Sequence, residues 1–401
     1  MLHCAISTTI FSAQLANLGV LHDSFLSLSL FLPPWTSLVA LEMAFGESVE
    51  SFSVEFLEAG HRQGFEQALM RVLKTGPAEH TFAEIIDGLP VKRSYVEFHW
   101  PQDGHPAYQH DEICPDVIER ARELQSNFSV TKLRFKLPLL NAFSEAAFGS
   151  ISFHLRLLEL LAVSCHQIAV HIYQLDGVNH KHCEYEKWIN QPRDMTRWDS
   201  FRHPTAFCHA FYTAVEQYPN GVADVVAYWA EAKIFGGVVL FDRGESETEC
   251  REVYLHAGRR GGPYTLFPPT TEQFGKLMVF LLGGKNESAA IENPLPIRAT
   301  SENRWRWDAW DATTHHHIFR DKYERFISPT KPPTSYRSSI DWPEIADDLY
   351  LVNAMHEYYE GKDVDKDEIR AALERLKQIT PSSPMWENRE TRHAWMKNVL
   401  K

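Results

Sequence analysis

Apolar positions along this chain fall at helical spacing in long stretches and in short continuous runs between them. From Val54 to Lys74, Phe56, Phe65, Leu69 and Val72 alternate with charged residues, which predicts a helix ended by Gly76-Pro77. A short helix is expected over Thr81–Asp87, a strand over Arg93–Trp100 and a helix over Pro115–Gln125, with Pro115 suited to the first turn. Lys132–Leu137 reads as a further strand. The clearest element is a leucine-rich helix from about Gly149 to Gln174, free of internal glycine and proline. Leu155, Leu158, Leu161, Ile168, Ala169 and Ile172 share one of its faces and Arg156, Glu159, Gln167 and Gln174 lie opposite, so one broad side must be buried.

A polar stretch from Asp176 to Pro204 reads largely as loop. After it, Tyr218-Pro-Asn-Gly221 is a turn, Val222–Lys233 a helix and Gly236–Asp242 a buried strand. Val253–His256 and Tyr264–Phe267 are further strands, and Thr271–Leu282 returns as helix. Helices bracketing adjacent strands without a repeating βαβ order predict an α+β fold: a small, mostly antiparallel sheet covered by helices. Past Gly284 the composition turns to a Trp/His-rich stretch, a Pro/Ser-rich connection over Ser328–Ser339 and two final helices from about Pro343 and Asp365. The expected organisation is therefore an apolar extension over 1–42, a main domain over 43–284 and a mainly helical C-terminal appendage over 285–401.

Two segments carry a resemblance. Gln217-Tyr-Pro-Asn-Gly-Val-Ala-Asp-Val-Val-Ala-Tyr-Trp-Ala-Glu231, followed by Ile234-Phe-Gly-Gly-Val-Val-Leu-Phe-Asp-Arg243, resembles a family of uncharacterised fungal hypothetical proteins, as does Glu159–Val170. The resemblance spans roughly 151–282. It implies a fungal origin and a setting among proteins of specialised metabolism, and it transfers no reaction, cofactor or catalytic residue.

A net charge of −13, with no long Lys/Arg run, argues against nucleic acid and acidic membrane surfaces as partners. A protein or a small molecule of unspecified kind is left. Six scattered cysteines without a Cys-x-x-Cys pair read as reduced, mostly buried thiols. The first 42 residues hold apolar runs but no Lys or Arg, and Asp23 and Pro33-Pro34 interrupt any membrane-length span. They read as an extension, with Met43 as an alternative start, and the expected location is cytoplasmic.

Several groups are candidates for chemistry. On the helix from Val222, the residues Asp224, Tyr228 and Glu231 fall within an arc of about 60°, so two carboxylates and a phenol share a face. Lining a cleft, that face would supply acid–base catalysis; otherwise it is a solvated helix face. His209 is a further catalytic candidate, alone or with His203 and Cys208 as a nucleophilic site completed by an acid such as Asp224. His180, His182 and Glu186 form part of a cupin-like metal pattern that lacks its glycines and a second half. His166 and His171, about 140° apart on their helix, are poorly placed to share a metal. His154 projects into the apolar arc as a structural histidine. Arg259 and Arg260, within Gly258–Gly262, are candidates for anion binding at a hairpin turn. Asp363-Val-Asp365-Lys-Asp367 imitates an EF-hand loop but holds Glu368 where that loop needs glycine; Asp365 and Glu368 instead make a helix cap. His315–His317 reads as a solvent-facing cluster. The favoured function is an intracellular binding or accessory protein, with an acid–base enzyme and a cupin-like metal protein as alternatives.

Overall fold

The structure, a computed structural model, describes residues 50–175, 181–192, 196, 201–283, 292–332 and 338–401. In chain order the elements are β1 (Ser51–Phe52), α1 (Ala59–Leu73), α2 (Gly76–Asp87), α3 (Lys92–Phe98), α4 (Pro115–Ser126), β2 (Phe135–Lys136), α5 (Leu137–Glu145), α6 (Ile151–Gln174) and α7 (His182–Ile189). They continue with α8 (Val222–Phe235), β3 (Val238–Asp242), β4 (Val253–His256), β5 (Leu266–Phe267), α9 (Thr271–Leu282), α10 (Ala309–His315), β6 (Ile318–Phe319), α11 (Glu344–Tyr359), α12 (Lys366–Arg375) and α13 (Arg389–Val399). The expected α+β architecture is present. Two residues of β1 pair antiparallel with β2, and the larger sheet runs β5-β4-β3-β6, antiparallel throughout.

Helix α6 is the spine. Ser150 caps its start by accepting from the Phe153 N–H at 3.1 Å. Its length and composition would suit a membrane span, but 78% of its most apolar window is buried inside the fold. Helices α1, α2, α5 and α8 pack around it, α8 most extensively. Both faces of the sheet are covered too: Val239, Phe241 and Leu255 join the large helical core, whereas Val238, Leu240 and Tyr254 pack with Tyr212, Tyr218, Val225 and Tyr228. Helix α8 contributes to both cores, with Trp229 on one side and Tyr228 on the other, and so is buried almost all round.

The passage from α8 to β3 needs glycine. Gly236 closes the helix in the left-handed region at φ 99°, and a Cβ there would lie 1.9 Å from the Ile297 carbonyl oxygen. Ile297 N–H in turn donates to Phe235 O at 2.9 Å, fixing that approach.

Several local expectations are corrected. Arg93–Trp100 is the helix α3, because its buried residues Ser94, Tyr95 and Phe98 follow helical rather than alternate spacing. The first helix does end ahead of Gly76-Pro77, at Leu73, but that pair also opens α2 well before the expected Thr81; Thr75 caps the Ala78 N–H and proline fits the first turn. The polar stretch after Asp176 contains α7, which buries Tyr185 and Trp188. The segment Phe207–Tyr212 is irregular, and Lys132–Leu137 yields only the two-residue β2. Arg156 and Glu159, expected on a solvated side of α6, are buried as an ion pair at 2.9 Å. The thiols divide: Cys165 and Cys208 are buried, Cys114 and Cys250 partly so and Cys183 exposed, with Cys4 outside the described residues.

The chain after Gly283 contributes to the main sheet. Trp307 bridges Leu266, and β6 adds to the edge of β3. Only from α11 onward do the helices form a core of their own, around Leu351, Ile369, Leu373 and Met396, with one more helix, α13, than the pattern predicted. Asp365 caps α12 as expected, accepting from the Asp367 and Glu368 N–H groups at 3.0 Å.

Gly236→Ala is expected to lower stability by more than about 1 kcal/mol, since it adds a Cβ in the left-handed region and a backbone clash. Chemical denaturation of the variant beside the parent measures it.

Candidate functional site

Asp224, Tyr228 and Glu231 do share a face of α8, and that face is buried rather than solvated. It meets His166 of α6 and Arg320, the residue after β6. The His166 ring lies between both acids: Nε2 is 3.0 Å from Asp224 Oδ1 and Nδ1 is 2.7 Å from Glu231 Oε1. Arg320 Nη1 donates to the other Glu231 oxygen at 2.6 Å. Asp224 also accepts from the Asn220 backbone N–H at 2.8 Å and from its Nδ2 at 3.0 Å, which ties the start of α8 to the preceding turn. Tyr228 packs its face on Tyr212, with centroids 4.7 Å apart, and its ring meets the His166 edge.

The electrostatics follow from this geometry. A histidine with each ring nitrogen on a carboxylate is an imidazolium, because each nitrogen must donate. Burial pushes its pKa down, but bonds to Asp224 and Glu231 outweigh it and the pKa is raised. Burial would raise the pKa of both acids; Arg320 and His166 bring Glu231 below its usual range, and His166 and Asn220 do the same for Asp224. Two anions and two cations therefore balance in a row. Every proton on His166 is held by a carboxylate, and Glu231, fully buried, spends one oxygen on each cation. A general acid or base needs a proton or lone pair within reach of substrate, and this row offers neither.

A second buried row lies beside it. Glu159 accepts from Arg156 at 2.9 Å and from Arg243 at 2.7 Å, while Arg243 also donates to the carbonyls of Phe319 and Arg320. The two rows hold the same stretch of chain after β6 against α6 and α8. Glu324 sits in that stretch with its carboxylate on the backbone N–H groups of Arg320 and Asp321, and burial pushes its pKa up to about 7.

His209 is not part of this site. It is fully buried in the segment before α8, its Nε2–H donating to His256 O at 3.1 Å and its Nδ1 accepting from the Phe211 N–H at 3.3 Å. Burial lowers its pKa to about 4, so it is neutral. Gly258, at φ 58°, presses on its ring, where a Cβ would come within 2.1 Å. The nucleophilic arrangement with Cys208 and Asp224 does not form: burial holds the Cys208 thiol protonated, and Asp224 is committed to His166. His203 belongs to another buried group, where Tyr95 stacks between His99 and His105.

Arg259 and Arg260 lie half-buried in the loop between β4 and β5 rather than on an exposed turn. Arg260 donates to His99 O at 3.2 Å and its guanidinium covers Trp100 at 4.2 Å, so it serves the C-terminal end of α3. His182 and Glu186 stand one turn apart on α7, 3.7 Å from each other, which removes the strand alternation a cupin metal site requires; His180 lies outside the described residues. His316 packs over Trp307 and His317 pairs with Glu247 at 3.1 Å, so the His315–His317 cluster diverges. Among the described residues no group of three or more His, Cys, Asp or Glu is placed to hold a metal ion.

The feature the sequence does not display is a cleft of about 240 Å³ beside the aromatic core of Tyr212 and Tyr228, which the wall residues Phe211 and Ala309 join. Its walls come from distant parts of the chain: Phe211, Tyr264 ahead of β5, Trp310 at the start of α10, Arg325 and Phe326 beyond β6, and Trp342 ahead of α11. Phe211 stacks on His256 at 4.5 Å and the Trp310 indole is pinned by Nε1–H to Ser328 O at 2.8 Å, so both are held in place before any ligand arrives.

Glu231→Gln, which leaves Arg320 and His166 short of an anion, is expected to cost about 3–5 kcal/mol, and Asp224→Asn less because Arg320 keeps its partner. Denaturant titration checks the order. The pH dependence has two limbs. His166, raised, contributes stability that is complete below its unfolded pKa of about 6.5 and lost as pH rises through its folded value, so His166→Gln should flatten the alkaline limb of Tm. The buried neutral histidines His105, lowered to about 3, and His203 and His209, lowered to about 4, act oppositely: stability falls as pH drops below about 6.5. No family model, curated protein or solved structure matches the chain.

Proposed function

We propose that the chain is a cytoplasmic binding protein for a small molecule, seated in the cleft walled by Phe211, Tyr264, Trp310, Phe326 and Trp342. The observation that carries this reading is the cleft itself: a concave, predominantly apolar recess of about 240 Å³ with several aromatic rings and a few polar groups among its walls. Phe211 is held against His256 of the sheet and Trp310 by Ser328, and preorganised walls reduce the entropy lost on binding. Asp224 and Glu231 are consistent with the same reading, since their lone pairs are spent on His166, Arg320 and Asn220. Fungal origin and an accessory role in specialised metabolism are part of the proposal, resting on the resemblance over 151–282.

Trp310 and Trp342 make the cleft its own reporter. A fragment screen read by tryptophan fluorescence and thermal shift is expected to find aromatic ligands that raise Tm. Ala309→Phe, which fills the cleft from the α10 side, should weaken them by more than about tenfold. Ligands that bind the parent and the filled variant equally, or no ligands at all, contradict the reading. Asp224→Asn, if it remains folded, should bind with unchanged affinity.

A further inference from the structure

Among the described residues, the buried arginines have counter-charges or several backbone acceptors, with one exception. Arg156 and Arg243 share Glu159, Arg320 holds Glu231, and Arg304 meets Asp347 at 2.8 Å. Arg306 lacks a carboxylate but spreads its donors over the carbonyls of Asn303, Thr300, Ile340 and Asp341. Arg325 is only 8% exposed, yet its hydrogen bonds among the described residues are confined to one nitrogen, Nη2, which reaches Ala309 O at 2.6 Å and Thr313 Oγ1 at 2.5 Å. Its Nε–H has no partner, and no carboxylate pairs with it among the described residues.

The nearby acids are accounted for. Glu324 directs its carboxylate to the N–H groups of Arg320 and Asp321. Asp308, also in the cleft wall, caps α10 through the N–H groups of Trp310 and Asp311. An arginine remains charged under all ordinary conditions, and a buried charge without a partner is costly. Arg325 lines the cleft, so the missing anion has a place to stand.

We infer that the cleft's ligand is a flat aromatic monocarboxylate whose carboxylate pairs with Arg325 and whose ring lies among Phe211, Tyr264, Trp310 and Trp342. This rests on the cleft being a binding site. Aromatic walls favour a stacked planar ring, and guanidinium N–H groups give a carboxylate charge-assisted hydrogen bonds. The volume equals that of about eight waters, which suits a molecule of one or two rings. The carboxylate of Asp308 in the same wall repels a second anionic group, which restricts the ligand to a single negative charge.

The probes are 2-naphthoate and its neutral analogue 2-naphthamide, titrated into the full chain with tryptophan fluorescence and calorimetry as readouts. Hydrogen bonds to a charged group predict that naphthoate binds roughly 10- to 100-fold more tightly than the amide. Arg325→Met should erase that difference, and Arg325→Lys should retain part of it; near-ultraviolet circular dichroism checks that both fold. Equal binding of acid and amide by the parent overturns the charge assignment while leaving the cleft a binding site. If neither probe perturbs the tryptophans at millimolar concentration, the carboxylate inference and the binding reading both fall. A preference for naphthoate that survives in Arg325→Met places the carboxylate elsewhere and overturns the inference.

Discussion

The contact on which the rest of the structure depends is the buried pair of Glu231 and Arg320. Glu231 projects from a helix that is buried almost all round, and an unpaired carboxylate there would be costly enough to oppose the packing of α8 on α6. Arg320 answers it from more than eighty residues later in the chain, at the end of the edge strand β6. His166 extends the row to Asp224, which in turn fixes the turn that starts α8. The spine helix, the central helix and the sheet edge thereby come into one register, and the parallel row of Arg156, Glu159 and Arg243 holds the same chain stretch from the side.

The same constraint positions the cleft. Once Arg320 is drawn inward, the next turn of chain carries Arg325 and Phe326 into the cleft wall, where they meet Trp310 of α10 and Trp342 ahead of α11. The cleft is thus a product of the same strap that neutralises Glu231, but its groups are distinct from those of the buried rows. The proposed division of labour is physical: saturated charges hold the fold, and the arginine left without an anion, together with aromatic walls, takes the ligand.

How much of this was legible in the sequence depends on where the information lay. The helices α6, α8 and α9 and the strand β4 follow from apolar spacing and local caps, which are encoded within each segment. Arg93–Trp100 misled because its alternation is genuine, while the residues it buries are set by α7 and the loop before α8, packing that no local pattern contains. The shared face of Asp224, Tyr228 and Glu231 was readable from helical spacing; its burial was not, because the partners that make it tolerable, His166 and Arg320, stand 58 and 89 residues from the acids they bind. Helical spacing relates His166 only to neighbours on its own helix, such as His171, and not to the acids of α8. The cleft was invisible for the same reason, since its walls are gathered from five separate stretches of chain with no motif among them.

The carboxylate face of α8 is a structural keystone whose energy resides in its pairing with Arg320. A double-mutant cycle with Glu231→Gln, Arg320→Met and the double variant, followed by urea denaturation at neutral pH, measures that pairing directly. The two losses are expected to fall short of additivity, with a coupling of about 2–3 kcal/mol, because removing either partner strands the other in the core. Losses that add without coupling would contradict it.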